Sequence, residues 1–240
     1  MRSHLSTKSF LWSNYAQKIT SLFPATTTNC TTTLTTATTP AQHGWFAWAL
    51  HIDGKTVELY RDKEYYTSET LPNGYASKKL PITSFWELQG LRKDITCYSL
   101  FNEKIKRTSG QNISFTDLQD MILKLNGLLQ QQDKKFVYAY YSDLDNKMHD
   151  YGVASRKTKK LVRMIDKAIE KLINDNADTL LIITADHSQF DVKDFVNIYA
   201  DKEILKCLAK PFACDPRATA FYIKKRNARA IQKGFSKIRE

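Results

Sequence analysis

Cysteine is sparse in this chain, and its placement excludes two kinds of scaffold. The four cysteines (Cys30, Cys97, Cys207 and Cys214) are scattered over 240 residues without a Cys-x-x-Cys pair. A disulfide framework and a zinc ribbon both need recurring, closely spaced cysteines, so neither is indicated. We therefore expect four free thiols.

Long hydrophobic runs are also lacking. The longest apolar stretches fall well short of the ~20 residues that a membrane helix needs, so no membrane span is predicted. Residues 1–12 do not contain the apolar centre of about 7–15 residues that a secretory signal has. We expect a cytoplasmic protein, unless the natural start of the chain lies upstream of Met1.

Acidic residues are outnumbered by basic ones. Lysine and arginine total 36 against 25 aspartates and glutamates, which gives a net charge of +11. Such an excess attracts anionic substrates or nucleic acid, and it equally suits a solvated surface. The basic residues collect in 156–163 and 224–229, where no aromatic side chains are interleaved to stack on bases. A specific nucleic-acid partner is therefore not expected.

The length and composition suit one folded domain. With 42% hydrophobic residues, the chain can bury a substantial core, and we predict a single α/β domain over residues 1–240. Residues 45–110 differ in composition from the rest of the chain. They are rich in aromatic residues and contain Asp53-Gly54, a sequence typical of a tight turn, between apolar residues. This stretch is predicted to be an inserted lobe over the functional site.

Apolar periodicity predicts the main elements of the chain. Helical spacing of apolar residues predicts two amphipathic helices, and runs of β-branched and aromatic residues predict strands. A third, short basic helix is predicted near the end of the chain. The predicted helices cover 114–129, 161–173 and 227–238, and the predicted strands cover 136–141, 179–184 and 218–223.

Two pairs of polar residues follow two of the predicted strands. Asp145 and His149 come just after the strand over 136–141, and Asp186 and His187 follow the next predicted strand. The helix predicted between the two strands completes a βαβ unit, whose strands should be parallel. In open α/β sheets, ligands bind beyond the carboxyl ends of the strands. Both pairs are therefore expected at the same edge of the sheet.

The chemistry of these pairs suits a metal ion. Carboxylate oxygen and imidazole nitrogen together favour zinc or manganese over calcium or magnesium, which prefer oxygen ligands alone. The alternative is that each pair only forms a turn, since polar residues commonly end strands.

A threonine-rich segment precedes the predicted lobe. Residues 23–44 contain ten threonines, and by composition alone they would be read as a linker or a mucin-like stretch. The ends of the segment oppose that interpretation, because Phe23-Pro24 opens it and Pro40-Ala-Gln-His43-Gly44 closes it, with room for a helix of small residues between them.

These anchored ends resemble the nucleophile segment of the type I phosphodiesterase and nucleotide pyrophosphatase family, in the alkaline phosphatase superfamily. The resemblance implies a threonine nucleophile at the start of a helix, where a phosphate is favoured. Counting back from the Pro-x-x-His-Gly motif places this nucleophile at Thr27, with Thr26 as the competing register. Asn29 is a candidate to bind a phosphoryl oxygen, although the family's asparagine would fall at Cys30.

The resemblance also assigns roles to the two polar pairs. It implies two divalent metal ions, with zinc favoured. Asp145 and His149 would hold one ion, as in the family's Asp-x-x-x-His motif, and Asp186, His187 and Thr27 would hold the other. Ser188 stands where the family usually has glycine. The implied fold is a doubly wound, mostly parallel α/β sheet of the alkaline phosphatase-like type, and the implied substrate is a phosphodiester or a nucleotide.

Two further ligands that the family uses have no counterpart in the chain. The sequence contains no early Val-Ile-Asp-Gly-like strand and no histidine after His187, so each implied metal site is one ligand short. Losing a ligand weakens metal affinity. The expected activity is therefore phosphodiester hydrolysis, and the alternatives are a truncated non-catalytic homologue or the phosphonate hydrolase and phosphomutase branch of the superfamily. The oligomeric state is left open.

Overall fold

The computed structural model describes residues 4–87, 94–105 and 111–237 of the chain. It divides into two compact units, each formed by two stretches of sequence. The first unit contains Met1–Thr20 and Thr83–Asp191, and the second contains Ser21–Ile82 and Val192–Glu240.

Nine helices and eight strands are assigned within the described residues. The helices are α1 (Phe10–Ser13), α2 (Thr27–Thr36), α3 (Pro40–His43), α4 (Tyr75–Lys79), α5 (Leu118–Leu129), α6 (Asp143–Tyr151), α7 (Arg156–Asn174), α8 (Lys202–Cys207) and α9 (Ala228–Lys237). The strands are β1 (Ala49–Ile52), β2 (Lys55–Glu58), β3 (Lys63–Glu64), β4 (Thr96–Asn102), β5 (Gln111–Phe115), β6 (Lys135–Tyr140), β7 (Leu208–Asp215) and β8 (Ala218–Ile223). Short 3-10 turns lie at Ile198–Ala200 and Lys225–Asn227. Within the described part of the chain, none of the helices combines the length and apolar content needed to cross a bilayer.

The first unit is built on a parallel sheet with the order β5-β4-β6. The second half of its central strand β4 is buried, with Leu100 and Phe101 almost fully enclosed. Helix α5 begins at Asp117, whose side chain accepts the N–H of Asp120, and α7 begins at Ser155, whose side chain accepts the N–H of Thr158. These caps satisfy N–H groups that have no partner inside the helix. The apolar sides of α5 and α7 then close the core. The core contains Leu100, Phe115, Leu118, Met121, Leu125, Leu128 and Leu172.

The second unit is built on an antiparallel sheet with the order β3-β2-β1-β7-β8. Strands β1 and β2 form a hairpin, and its turn residues Asp53 and Gly54 both have positive φ, at 48° and 83°. Two positive φ angles in a row suit the twist of adjacent strands and favour an Asp-Gly sequence. The turn predicted at these residues is confirmed. The main core of this unit contains Trp45, Ala47, Leu50, Val57, Leu59, Leu71 and Ala76.

The threonine-rich segment forms helix α2 rather than a linker. The hydroxyls of Thr31, Thr35 and Thr36 each donate to the carbonyl oxygen four residues earlier, at 2.7, 2.9 and 2.8 Å. These bonds satisfy the hydroxyls of these three threonines within the helix, which reduces the cost of burying them. The hydroxyl of Tyr60 bonds to Thr31 as well. A composition typical of a linker therefore folds as a buried helix.

Most of the predicted elements are confirmed. The α/β class, the strands near 136–141 and 218–223 and the helices near 114–129, 161–173 and 227–238 all appear. The prediction of a single domain with a lobe over 45–110 stays a prediction. Residues 45–82 lie in the second unit, β4 lies in the parallel sheet, and residues 88–93 and 106–110 are outside the described residues.

One predicted strand is wrong. Residues 179–184 are described, but they form no strand, and the βαβ unit expected around α7 lacks its second strand. Leu180 and Ile182 are 86% and 78% exposed, although the apolar run had indicated a strand covered on both faces. The physical reason is that a strand needs a hydrogen-bonded neighbour, which β propensity alone does not supply.

Candidate functional site

Helix α6 carries the first polar pair. Strand β6 ends at Tyr140, and α6 begins three residues later, so its first turn lies directly beyond the carboxyl end of a parallel strand. Asp145 and His149 are one helical turn apart on α6, and Asp145 Oδ2 lies 3.5 Å from His149 Nε2. The imidazole is largely exposed, whereas the carboxylate is mostly buried. The spacing of four residues on α6, a helix that was not predicted, therefore brings the pair together.

The second pair is held by local hydrogen bonds in a loop. Asp186 Oδ1 accepts the backbone N–H of His187 at 2.9 Å, and Asp186 Oδ2 lies 3.6 Å from His187 Nε2. His187 Nδ1 lies 3.2 Å from the carbonyl oxygen of Ser188. A carbonyl oxygen can only accept, so Nδ1 carries the proton and Nε2 of the neutral ring keeps its lone pair. This tautomer is the one that a metal-binding Nε2 requires.

The two pairs lie close enough to interact electrostatically. Burial raises the pKa of the Asp145 carboxyl above its ordinary value. The imidazoles of His149 and His187 lower this pKa, and the negative charge of Asp186 raises it. Residues separated by about forty positions in the sequence thus share one electrostatic site in the first unit. Two carboxylates placed together in partly buried surroundings are stabilised by a cation.

Asp143 is the nearest competitor to Asp145, because it lies two residues earlier on α6. The structure gives the two carboxylates different neighbours. Asp143 forms a hydrogen bond with the hydroxyl of Tyr141, and burial together with the charge of Asp143 raises the pKa of that tyrosine. Asp145 instead interacts with His149 and both members of the second pair. The geometry therefore favours Asp145 as the site residue.

A metal ion fits the chemistry of these donors in part. Asp145 Oδ1 is buried and has no hydrogen-bond partner among the described atoms. An oxygen in this state loses its hydration without compensation, and a bound cation would restore a partner. Within the residues described, however, no group of three or more histidine, cysteine, aspartate or glutamate side chains is arranged to hold one ion. The donors are therefore present as two pairs rather than as a closed ligand set.

Thr27 is the first residue of helix α2 in the second unit, and its side chain is partly exposed. Thr26 is the residue that caps this helix, and it is 5% exposed. The predicted position of the nucleophile at a helix start is therefore observed for Thr27, while the nucleophilic role itself stays a prediction. Asn29 is fully buried, and its amide nitrogen donates to the carbonyl oxygen of Pro24 at 2.9 Å. Its proposed contact with a phosphoryl oxygen also stays a prediction.

His43 and Gly44 shape the turn after the threonine segment. The N–H of Trp45 donates to His43 Nδ1 at 2.9 Å, so the neutral ring donates from Nε2 to the hydroxyl of Thr33, also at 2.9 Å. Burial lowers the pKa of His43, which keeps the ring neutral. Gly44 has a positive φ of 74°, a conformation that favours glycine. Both ring nitrogens of His43 are thus used within the fold.

Sequence reasoning missed several residues that position the site. Tyr140 places its hydroxyl 3.5 Å from Asp186 Oδ2. Asp191 accepts the N–H of Val153 at 2.8 Å, which joins the second loop to the end of α6. His4 is 7% exposed, and its Nε2 lies 2.9 Å from the carbonyl oxygen of Val153. Gly152 lies next to Asp191 and has a positive φ of 84°.

Comparison with known proteins agrees with the motifs described above. A model of the type I phosphodiesterase / nucleotide pyrophosphatase family matches residues 11–236, almost the whole chain. A search of the curated proteins finds no match. The matched range includes Thr27 and both polar pairs. The chain therefore belongs to the type I phosphodiesterase / nucleotide pyrophosphatase family.

Proposed function

We propose that the protein is a metal-dependent phosphodiesterase of the nucleotide pyrophosphatase type, with Thr27 as its nucleophile. Membership of the family indicates the phosphodiesterase or nucleotide pyrophosphatase class of activity. The observation that carries the finer proposal is the meeting of Asp145, His149, Asp186 and His187 in one electrostatic site. A doubly wound sheet of the alkaline phosphatase-like type is part of the same proposal.

The four residues of the two pairs would hold divalent cations, with zinc favoured. Asp145 and His149 would bind one ion through Oδ1 or Oδ2 and Nε2, and Asp186 and His187 would contribute to the second. The mixture of carboxylate and neutral imidazole is typical of zinc sites. When bound, zinc supplies a Lewis acid that neutralises charge on the phosphoryl oxygens and favours the ionised form of a hydroxyl. The unpaired oxygen of Asp145 supports this assignment.

Thr27 would attack the phosphorus atom in line with the leaving group. The Thr27 oxygen forms a bond to phosphorus, the bond from phosphorus to the leaving oxygen breaks, and the hydroxyl proton passes to solvent water. Water then hydrolyses the covalent intermediate, which restores the Thr27 hydroxyl. Backbone N–H groups in the first turn of α2 favour negative charge on the phosphoryl group, because this end of a helix dipole is positive. The start of α2 at Thr27 supports this role.

Hydrolysis of a nitrophenyl phosphodiester in the presence of zinc tests the proposal. The unsubstituted chain should release nitrophenolate, and a chelator should stop the reaction. Thr27→Ala should lower kcat by at least about a thousandfold, because removal of a nucleophile disables the whole catalytic unit. Thr27→Ser keeps a hydroxyl at the same position and should retain measurable turnover.

Thr26→Ala is the matched control, since Thr26 is the adjacent threonine and the competing register. It should retain turnover. Loss of activity in Thr26→Ala together with retention in Thr27→Ala would reject the nucleophile assignment. A well-folded chain that binds zinc without turning over the substrate would instead identify a non-catalytic member of the family.

A further inference from the structure

Helix α7 carries a row of cations along its solvent-facing side. Arg156, Lys160, Arg163 and Lys167 are separated by four, three and four residues, which places them on one side of a helix, and all four are exposed. Lys159 lies beside them and is half-buried. These five residues are called the α7 basic row. Together with Met164, they line one surface depression of about 480 Å³.

The charge of the α7 basic row is not compensated nearby. Across residues 4–87, 94–105 and 111–237, the ion pairs involve other lysines and arginines, and no member of the row takes part in one. The helix itself has only two acidic residues, Asp166 and Glu170. Asp166 is buried, and its Oδ1 accepts the N–H of Leu11 at 2.8 Å. Five like charges therefore occupy about 17 Å of helix, where they repel one another and attract an anionic partner.

The packing of α7 restricts which polyanion can reach the row. Helices α1, α5 and α6 all pack against α7, so only one side of it faces solvent. A helix is about 10–12 Å across, and the major groove of DNA is about 12 Å wide. A helix that lies in that groove fills its width, and three other helices pack against α7. The row also contains no aromatic residue on which a base could stack.

A flat anionic surface meets no such obstacle. A straight row on the outside of a cylinder touches a plane along its whole length, so the four exposed cations can approach negatively charged headgroups together. Met164 lies within the row and is 42% exposed, which gives the row an apolar contact. We propose that the α7 basic row docks the protein on an anionic lipid surface. This inference is independent of the proposed hydrolase activity.

Binding to lipid vesicles by the full chain tests the proposal. Phosphatidylcholine vesicles with and without phosphatidylserine are the probes, and sedimentation measures the bound fraction. Each Lys or Arg near an anionic surface raises partitioning about fivefold. The triple variant Lys160→Gln, Arg163→Gln and Lys167→Gln should therefore bind phosphatidylserine vesicles about a hundredfold more weakly. Glutamine is a good helix former, so circular dichroism should show α7 intact.

The control variant removes the same charge from exposed positions elsewhere: Lys63→Gln, Lys202→Gln and Arg226→Gln. It should bind within about threefold of the unsubstituted chain, because these residues are not in the row. Equal weakening of the two triple variants would overturn the proposal, since binding would then follow net charge alone. The proposal would also be overturned if the unsubstituted chain did not bind phosphatidylserine vesicles. Binding of the α7 basic row to double-stranded DNA would not rescue it in that case.

Discussion

Replacing Asp145 by asparagine should separate folding from metal binding. In the parent chain, Asp145 Oδ1 is buried without a hydrogen-bond partner among the described atoms. An unsatisfied buried polar group costs about 1–3 kcal/mol. Asparagine keeps the shape of the side chain, removes its negative charge and reduces its desolvation cost. We therefore expect the metal-free variant to be more stable than the parent by about 1 kcal/mol, which raises Tm by about 2–4 °C.

Zinc should reverse this order of stability. Zinc at a hundredfold excess over its Kd stabilises a folded chain by about 2.7 kcal/mol, provided that it binds the folded state alone. For a chain of this size, that corresponds to an increase in Tm of about 5–10 °C. Asp145→Asn should lose most of the increase, because a neutral amide is a much poorer zinc ligand than a carboxylate. The parent should then melt at the higher temperature.

Scanning fluorimetry with added zinc, and again with a chelator, measures both effects. Asp143→Asn is the matched control, because it makes the same substitution two residues away, where the carboxylate bonds to Tyr141. It should keep the zinc-dependent increase. The reasoning is refuted if Asp145→Asn responds to zinc as the parent does, or if Asp143→Asn loses the response instead.

Three substitutions test the fold around the site and in the second unit. Burial opposes ionisation of Glu64, but hydrogen bonds from Thr67, Tyr66 and Thr56 outweigh it and lower the pKa of Glu64. Glu64→Gln should therefore lower the free energy of unfolding by about 2 kcal/mol at neutral pH. This difference between the variant and the parent should shrink as the pH falls below 4.5, the ordinary pKa of a glutamate, towards the lowered pKa of Glu64. Urea unfolding at several pH values measures the difference, and a difference that stays constant with pH would contradict the reasoning. Gly152→Ala should lower the free energy of unfolding in urea by about 1–3 kcal/mol, because the φ of Gly152 is 84° and an added Cβ would lie 3.2 Å from Asp191 Oδ1. An unchanged urea midpoint would be inconsistent with that conformation. Leu100→Ala should lower the free energy of unfolding by about 2–5 kcal/mol, because Leu100 is fully buried in β4. The control Leu123→Ala, at a position 71% exposed on α5, should leave the urea midpoint nearly unchanged.

Local patterns in the sequence predicted the elements whose stability is local. Helices α5 and α7 follow from apolar spacing, and the β1–β2 turn follows from Asp53-Gly54. In each case, the residues that define the element also make its main contacts, so the pattern alone contains the information.

Features that depend on distant partners could not be predicted in this way. The run over 179–184 has the composition of a buried strand, but a strand forms only where another strand presents its hydrogen-bonding groups. The bond from Val153 to Asp191 and the contact between Tyr140 and Asp186 join segments 38 and 46 residues apart. Nothing in the local sequence of either partner indicates these contacts. Helix α2 is the reverse case, because its composition alone indicated a linker, whereas the anchored ends of the segment left room for the helix that its side-chain hydrogen bonds stabilise.

The central claim is that Thr27 forms a covalent bond to phosphorus during hydrolysis of a phosphodiester. The chain can be quenched in acid during turnover of a nitrophenyl phosphodiester with zinc, and its peptides can then be mapped by mass spectrometry. We predict a phosphoryl-containing adduct on Thr27, and no adduct in Thr27→Ala. An adduct on Thr26, or turnover with no adduct on either threonine under conditions that trap such intermediates, would contradict the account.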